Sequence, residues 1–207
     1  MSDIPKQFLC LDGIPILIRS ISAFKEYDHT INIVLVLPDE HICKWEKLCI
    51  TNEFNTPYSI ASAGYTRFHS VKNGLKKIED DYSLIAIHDS VRPLVSKRVI
   101  EKIFDCAEIN GSAIPYIKIN DSLRIKTETS TIPFDRGLVL SIQTPQCFRS
   151  ELLKKAYEQN YIESFTDDAT VVEKLGEEIH LVEGDQENIK ITTPKDILIA
   201  EALLRRK

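Results

Sequence analysis

"SLIAIHDSVRPLV", residues 83–95, decides how the rest of the chain is read. Leu84 to Ile87 form a short apolar run, the pattern of a strand buried in a sheet covered on both faces. His88, Asp89 and Arg92 then follow within five residues, and Pro93 opposes continuation of a strand. A buried strand that ends in charge has two explanations. Strands must reach a polar surface somewhere, or this is the carboxyl edge of an open α/β sheet, where ligands bind.

Outward from that stretch, strand-like and helix-like runs alternate. "IPILIRSISAFKEY" sets Ile16, Leu17, Ser20, Ile21 and Phe24 on one helical face, and "INIVLVLPD" reads as a buried strand ending at Pro38. "YSIAS" is strand-like, and "TRFHSVKNGLKKIED" gathers Phe68, Val71, Leu75 and Ile78 on a helical face. "SKRVIEKIFDCAEING" predicts a helix from Ser96 to Gly111, and "SAIPYIKIND" the next strand. Helices are expected at "SELLKKAYEQNY" and "TDDATVVEKLG", capped by Ser150 and Thr166, and strands at "EEIHLVEG" and "NIKITT". "TPKDILIAEALLRRK" closes the chain, with Thr193 at N-cap, Pro194 at N1 and Asp196 at N3. The alternation predicts one domain over residues 1–207, a three-layer Rossmann-like α/β sandwich around a mainly parallel sheet. Residues 121–148 break the rhythm with short β-prone pieces and polar turns, as expected of a β-hairpin arm seeking a partner.

Composition narrows the function. A net charge of −5 gives no basic field for nucleic acid. No apolar run approaches the ~20 residues that span a bilayer, and the start has no signal-peptide pattern. Five scattered cysteines without a CxxC pair indicate neither zinc nor a disulfide framework, and suit a cytoplasmic chain.

Several stretches could carry chemistry. "AGYTRFHSV", residues 63–71, places small residues and hydroxyls at a helix start, where backbone N–H groups can hold a phosphate or a base edge. Asp89 and Arg92 pair a carboxylate with a phosphate-binding guanidinium, or form a local ion pair worth under about 1 kcal/mol. "QTPQCF" carries Thr144, "FTDDAT" carries Thr166, and "ENIKITTPKD" carries Lys190, which alternates away from Ile189 and Ile191. Lys6 stands in "PKQ". Singly, each is equally a cap, a turn or a solvated charge.

The ordered set "PKQFL", "GYTRFHSV", "IHDSVRP", "DRGLVLSIQTPQCF", "FTDDAT" and "VEGDQENIKITTPKD" resembles the 2-C-methyl-D-erythritol 4-phosphate cytidylyltransferases over residues 3–204. The resemblance implies transfer of CMP from CTP to a sugar-alcohol phosphate, with magnesium and release of pyrophosphate, by a homodimer. Lys6 and Lys190 would stabilise the reacting triphosphate. Gly64 and Ser70 would hold the cytosine, with Arg67 bracing their loop. Asp89 and Arg92 would face the second substrate, Asp89 toward its hydroxyls or the metal region and Arg92 toward its phosphate. Ser122, at a position where the family has threonine, would contribute a hydroxyl, as would Thr144 and Thr166. Arg136, on the arm, would reach the neighbouring subunit's site. Ribitol-5-phosphate cytidylyltransferases share most of these motifs. One element of the family pattern is not found: a first strand and a glycine-rich loop whose N–H groups cradle the triphosphate, about fifteen residues in all. A chain that started at Met1 without them is expected to lack a central strand, to be poorly soluble and to show no CTP turnover; the second alternative to the enzyme is a non-catalytic α/β dimer that acts only through interactions.

Overall fold

The computed structural model describes residues 5–79, 81 and 83–206. A 3₁₀ turn, Lys6–Phe8, leads into a small hairpin of β1 (Cys10–Leu11) and β2 (Ile14–Pro15). Helix α1 (Ile16–Tyr27) follows and buries Ile16, Leu17, Ser20, Ile21 and Phe24, the stripe expected from the sequence. Strand β3 (Val34–Leu37), helix α2 (Asp39–Thr51), strand β4 (Ser59–Ser62), helix α3 (Arg67–Leu75) and strand β5 (Leu84–Ile87) alternate from there. Helix α4 (Lys97–Asn110) ends at Gly111, whose φ of 88° is the left-handed C-cap that glycine adopts without strain. Strand β6 (Ser112–Lys118) runs into a hairpin of β7 (Leu123–Lys126) and β8 (Thr131–Phe134). Strands β9 (Leu140–Ile142) and β10 (Gln146–Arg149), helices α5 (Ser150–Ala156) and α6 (Asp168–Glu173), strand β11 (Leu181–Glu183) and helix α7 (Pro194–Leu204) complete the chain.

The sheet is mixed. β10 lies antiparallel between β5 and β6, β11 runs parallel to β6, and β9 pairs antiparallel with the far end of β6. β3 and β4 form a separate parallel pair. Helices cover both faces of the five-stranded part. On one face, Phe68 of α3, Leu153 of α5 and Val171 of α6 pack on Ile85, Ile114 and Phe148. On the other, Phe24 of α1 and Val99, Ile103 and Ala107 of α4 pack on Ala113 and Cys147. The β3–β4 pair has its own cluster, in which Trp45, fully buried, meets Phe8, Phe54 and Tyr58 ring to ring.

Four local expectations change. Residues 188–193, "NIKITT", form no strand, because their N–H groups are used singly: Asn188 N–H donates to Asp185 C=O and Ile191 N–H to Val91 C=O. Asp167, not Thr166, caps α6, in a capping box with Thr170. Ser150 is the first residue of α5 rather than its cap, and its buried Oγ has no partner among the described residues. Only about residues 121–138 of the predicted arm stand off the globule, since β9 and β10 return to the sheet. The final helix keeps its expected start, with Thr193 and Asp196 in a reciprocal capping box around Pro194.

Candidate active site

The carboxyl ends of the strands meet at one edge. Asp89 lies just beyond β5, and its Oδ2 accepts from Lys190 Nζ at 2.9 Å and from Arg92 Nε at 3.3 Å. Arg92 Nη1 also donates to the Asn188 carbonyl at 2.8 Å, which ties the strand end to the loop that carries Lys190. Burial works to raise the Asp89 carboxyl, but the bond and charge of Lys190, then the charges of Arg67 and Arg92, hold it below the ordinary carboxylate range. Lys6 joins from the N-terminal turn: its ammonium donates to the carbonyl of Thr192, two residues past Lys190. The irregular backbone of 188–193 is what frees Lys190 to turn toward Asp89, a placement that strand alternation alone would not determine.

Beneath this cluster lies a hydrogen-bonded floor. The Asp89 N–H donates to Thr144 Oγ1 at 3.0 Å, and Thr144 Oγ1 meets His88 Nδ1 at 3.3 Å. His88 Nε2 lies 3.0 Å from the Arg92 carbonyl. One proton arrangement satisfies all three: a neutral imidazole that donates from Nε2 to Arg92 and accepts at Nδ1 from the threonine hydroxyl. Burial pushes the His88 imidazole down to about 4, against the raising effect of its bond to Arg92 and the charge of Asp89. Thr144 is buried with its hydroxyl engaged, so it supports Asp89 from below rather than facing outward. Asn188, fully buried, donates to the Thr144 carbonyl at 2.9 Å, and Gln143 Nε2 donates to the Asp185 carbonyl at 2.8 Å. These two amides were not among the predicted site residues. Their one signal in the sequence was position, each within two residues of a residue that was.

The turn at residues 64–66 and the first turn of α3 form the second wall. The Gly64 N–H donates to Ser70 Oγ at 3.0 Å, and Ser70 Oγ donates to the Thr66 carbonyl at 3.0 Å. A Cβ added at Gly64 would stand 2.4 Å from His69 Cβ, so this close approach admits only glycine. Arg67 anchors the wall with a two-pronged pair to Asp168, Nη1 to Oδ1 at 2.9 Å and Nη2 to Oδ2 at 2.5 Å. Tyr157 donates to the same fully buried carboxylate at 2.6 Å. Burial disfavours the Arg67 cation, but Asp168 more than compensates and raises its pKa. Bracing by Arg67 was expected from the sequence; Asp168 and Tyr157 as its partners were not. Thr166 lies exposed two residues before Asp168.

The sequence-predicted set divides. Lys6, Asp89, Arg92, Thr144 and Lys190 are joined by the bonds above, and Gly64, Arg67 and Ser70 form the adjoining wall, Arg67 acting on the charge of Asp89. Ser122 and Arg136 lie exposed on the arm, where Arg136 donates to the Asn120 carbonyl. No bond among the described residues links either to the Asp89 cluster. Nor do the described residues contain a group of three His, Cys, Asp or Glu side chains fit to hold a metal.

Comparison with known proteins gives one consistent result. The family model of 2-C-methyl-D-erythritol 4-phosphate cytidylyltransferase matches residues 1–206. The chain is 46% identical over 202 residues to the 2-C-methyl-D-erythritol 4-phosphate cytidylyltransferase of Phocaeicola vulgatus, covering 98% of this chain and 92% of that protein. It is 44% identical over 204 residues to the protein of the same name from Porphyromonas gingivalis, covering 98% and 90%. Among solved structures, the 4-diphosphocytidyl-2C-methyl-D-erythritol synthase of Anaerococcus prevotii superposes with a TM-score of 0.85 at 26% identity, covering 100% of this chain and 92% of that one. The Thermus thermophilus 2-C-methyl-D-erythritol 4-phosphate cytidylyltransferase does so with a TM-score of 0.78 at 28% identity, covering 97% and 94%.

Proposed function

This chain belongs to the 2-C-methyl-D-erythritol 4-phosphate cytidylyltransferase family, and from that premise we propose how its residues divide the work. The reaction is the transfer of CMP from CTP to 2-C-methyl-D-erythritol 4-phosphate in isoprenoid precursor synthesis. A phosphate oxygen of the acceptor attacks the α-phosphorus of CTP in line, and the bond to the β-phosphate oxygen breaks, releasing pyrophosphate. Such a transfer depends on positioning and charge neutralisation rather than covalent catalysis.

Lys6 and Lys190, brought to one edge by Thr192 and Asp89, meet the triphosphate and offset the charge that develops at the α-phosphate. The Gly64–Ser70 segment, at the start of α3, holds the cytosine, with the Ser70 hydroxyl fixing its shape and backbone groups reading the base edge. Asp89 receives acceptor hydroxyls, and Arg92 its phosphate. Thr144 and His88 position Asp89, and Thr166 and Ser122 add hydroxyl contacts at the rim. Magnesium would be carried mainly by triphosphate oxygens, with Asp89 the carboxylate at this edge, and would neutralise charge there.

The arm completes the site in a homodimer. Ile125, Ile132, Phe134 and Leu138 are exposed on it, and a two-stranded hairpin does not hold itself against water. Arg136 then serves the partner's acceptor site. Five free thiols, with Cys10 and Cys43 exposed, support the cytoplasm as the compartment.

The observation that carries this reading is Asp89, held as a carboxylate between Lys190 and Arg92 at the strand ends. Pyrophosphate release from CTP, with 2-C-methyl-D-erythritol 4-phosphate against ribitol 5-phosphate as acceptor, tests it. Release with the first is the expected result; release with ribitol 5-phosphate alone overturns the substrate assignment.

A further inference from the structure

Gln146 has no part in the reading above, yet its side chain is fixed at both polar ends. It opens β10, is buried, and lies in register with Ile87, two residues before Asp89. Its Nε2 donates to Asp167 Oδ2 at 2.8 Å, and its Oε1 accepts the Ala169 N–H at 2.9 Å. These partners decide which way the amide points, because an ionised carboxylate only accepts and a backbone N–H only donates. An amide buried this deeply is costly unless both ends are bonded. Here both bonds go to the start of α6, a separate element on the face of the sheet.

The two residues that Gln146 grips stand on either side of Asp168. Asp167 is also the cap of α6, its other oxygen accepting the Thr170 N–H at 2.9 Å. The backbone of Asp168 is therefore held before and behind. Its fully buried carboxylate receives both prongs of Arg67 and the Tyr157 hydroxyl. Arg67 is the first residue of α3, directly after Thr66, whose carbonyl accepts the Ser70 hydroxyl. A two-pronged pair has little angular tolerance, so a shift at the start of α6 passes to Arg67. The same short stretch of chain also reaches Asp89, because Thr144, two residues before Gln146, accepts the Asp89 N–H. Asp89 and Asp168, each the holder of a cation at the site, are both located from residues 144–146.

We propose that Gln146 is a positioning residue: through the start of α6 it sets the place of Arg67, and with it the Gly64–Ser70 wall, relative to Asp89. The proposal rests on the reading of that wall as the cytosine site. Its test exchanges donor and acceptor across the 2.8 Å contact. In Gln146→Glu, two carboxylate oxygens meet there. In Asp167→Asn, the new amide sets a donor against either the Gln146 amide or the Thr170 N–H. In the double variant the new amide donates to the new carboxylate, the Ala169 and Thr170 N–H groups keep their acceptors, and the net charge is unchanged. Asp167 is only partly buried, so Asp167→Asn keeps the test open if Gln146→Glu does not fold.

Two readouts are taken on the full chain: rotation of the Arg67 guanidinium by NMR, and KM for CTP and for the acceptor from pyrophosphate release. Each single variant should speed the rotation and raise KM for CTP about tenfold or more, and the double variant should bring both back to within about threefold of the parent. A lower urea midpoint with unchanged rotation and unchanged KM values would make Gln146 a structural contact only and overturn the proposal. A double variant no better than the single ones would overturn it too. If the chain does not turn over CTP, the guanidinium rotation alone decides. Rotation that is lost and restored as expected, with KM for the acceptor moving in place of KM for CTP, would uphold Gln146 as the positioning residue and overturn the assignment of the wall to cytosine.

Discussion

The strand-end cluster and the hairpin arm carry charges of equal chemical promise and opposite settings. Asp89, Arg92 and Lys190 are held by partners from three parts of the chain, and even the N–H of Asp89 has a fixed acceptor in Thr144. Arg136, by contrast, donates to the Asn120 carbonyl at the base of its own arm, and the apolar side chains around it face solvent. The difference shows where one chain suffices. Groups that must hold charge in a fixed geometry are set by the fold of one chain, while the arm's exposed surface is explained only by the homodimer proposed above.

The sharpest way to break this contrast is at Lys190. Lys190→Met should cut kcat by about 10²–10³-fold, the usual cost of removing a group that meets developing charge. Steady-state pyrophosphate release measures it, and a loss below tenfold would remove Lys190 from the reacting triphosphate. Next in size is Asp168→Ala. It leaves Arg67 and the Tyr157 hydroxyl without their shared acceptor. Arg67 is partly exposed, so the expected loss of about 2–3 kcal/mol sits at or below the low end for a broken buried pair. Urea denaturation reads it directly, and a midpoint equal to that of the parent would mean that the pair adds no net stability.

Arg136→Ala should leave stability within about 0.5 kcal/mol, as expected of an exposed side chain. It should nonetheless raise KM for the acceptor about tenfold or more, with KM for CTP unchanged. Mixing Arg136→Ala subunits with Asp89→Ala subunits should restore activity, because one hybrid site has both groups. No recovery in dimers shown to exchange would place Arg136 in its own subunit's site. The smallest effect concerns pH. His88 titrates near 4 in the folded chain, below the ~6.5 of a free imidazole. Between those values the unfolded chain binds more protons, so stability should fall as pH drops from about 6.5 toward 4. His88→Asn should flatten urea midpoints across that window. A variant that keeps the parent slope would assign the dependence to other groups.

Much of the site was legible because it sits where patterns end. The run from Leu84 to Ile87 announces a buried strand, so the charges behind it are marked by position as well as by type. The same holds for Thr193–Pro194–Asp196, where the capping geometry follows from residue identity. What escaped notice was long-range. Nothing near Arg67 in the sequence points to Asp168, 101 residues away, or to the Tyr157 hydroxyl beside it. "NIKITT" reads as a strand because its β-branched residues alternate, yet tertiary bonds from Val91 and Arg92 claim its backbone groups. Helix α2 was missed for a related reason: it buries only Trp45 and Cys49 fully, too sparse a stripe to stand out.

The placement of that one tryptophan has an optical consequence. Trp45 belongs to the cluster around β3 and β4, a strand pair that no strand bond among the described residues joins to the five-stranded sheet. Its emission therefore reports on one half of the molecule, while far-ultraviolet circular dichroism weighs both. If the two signals lose their native values at the same denaturant concentration, the halves unfold as one cooperative unit although their strands belong to separate sheets. If the tryptophan signal moves first, the β3–β4 half opens ahead of the five-stranded sheet.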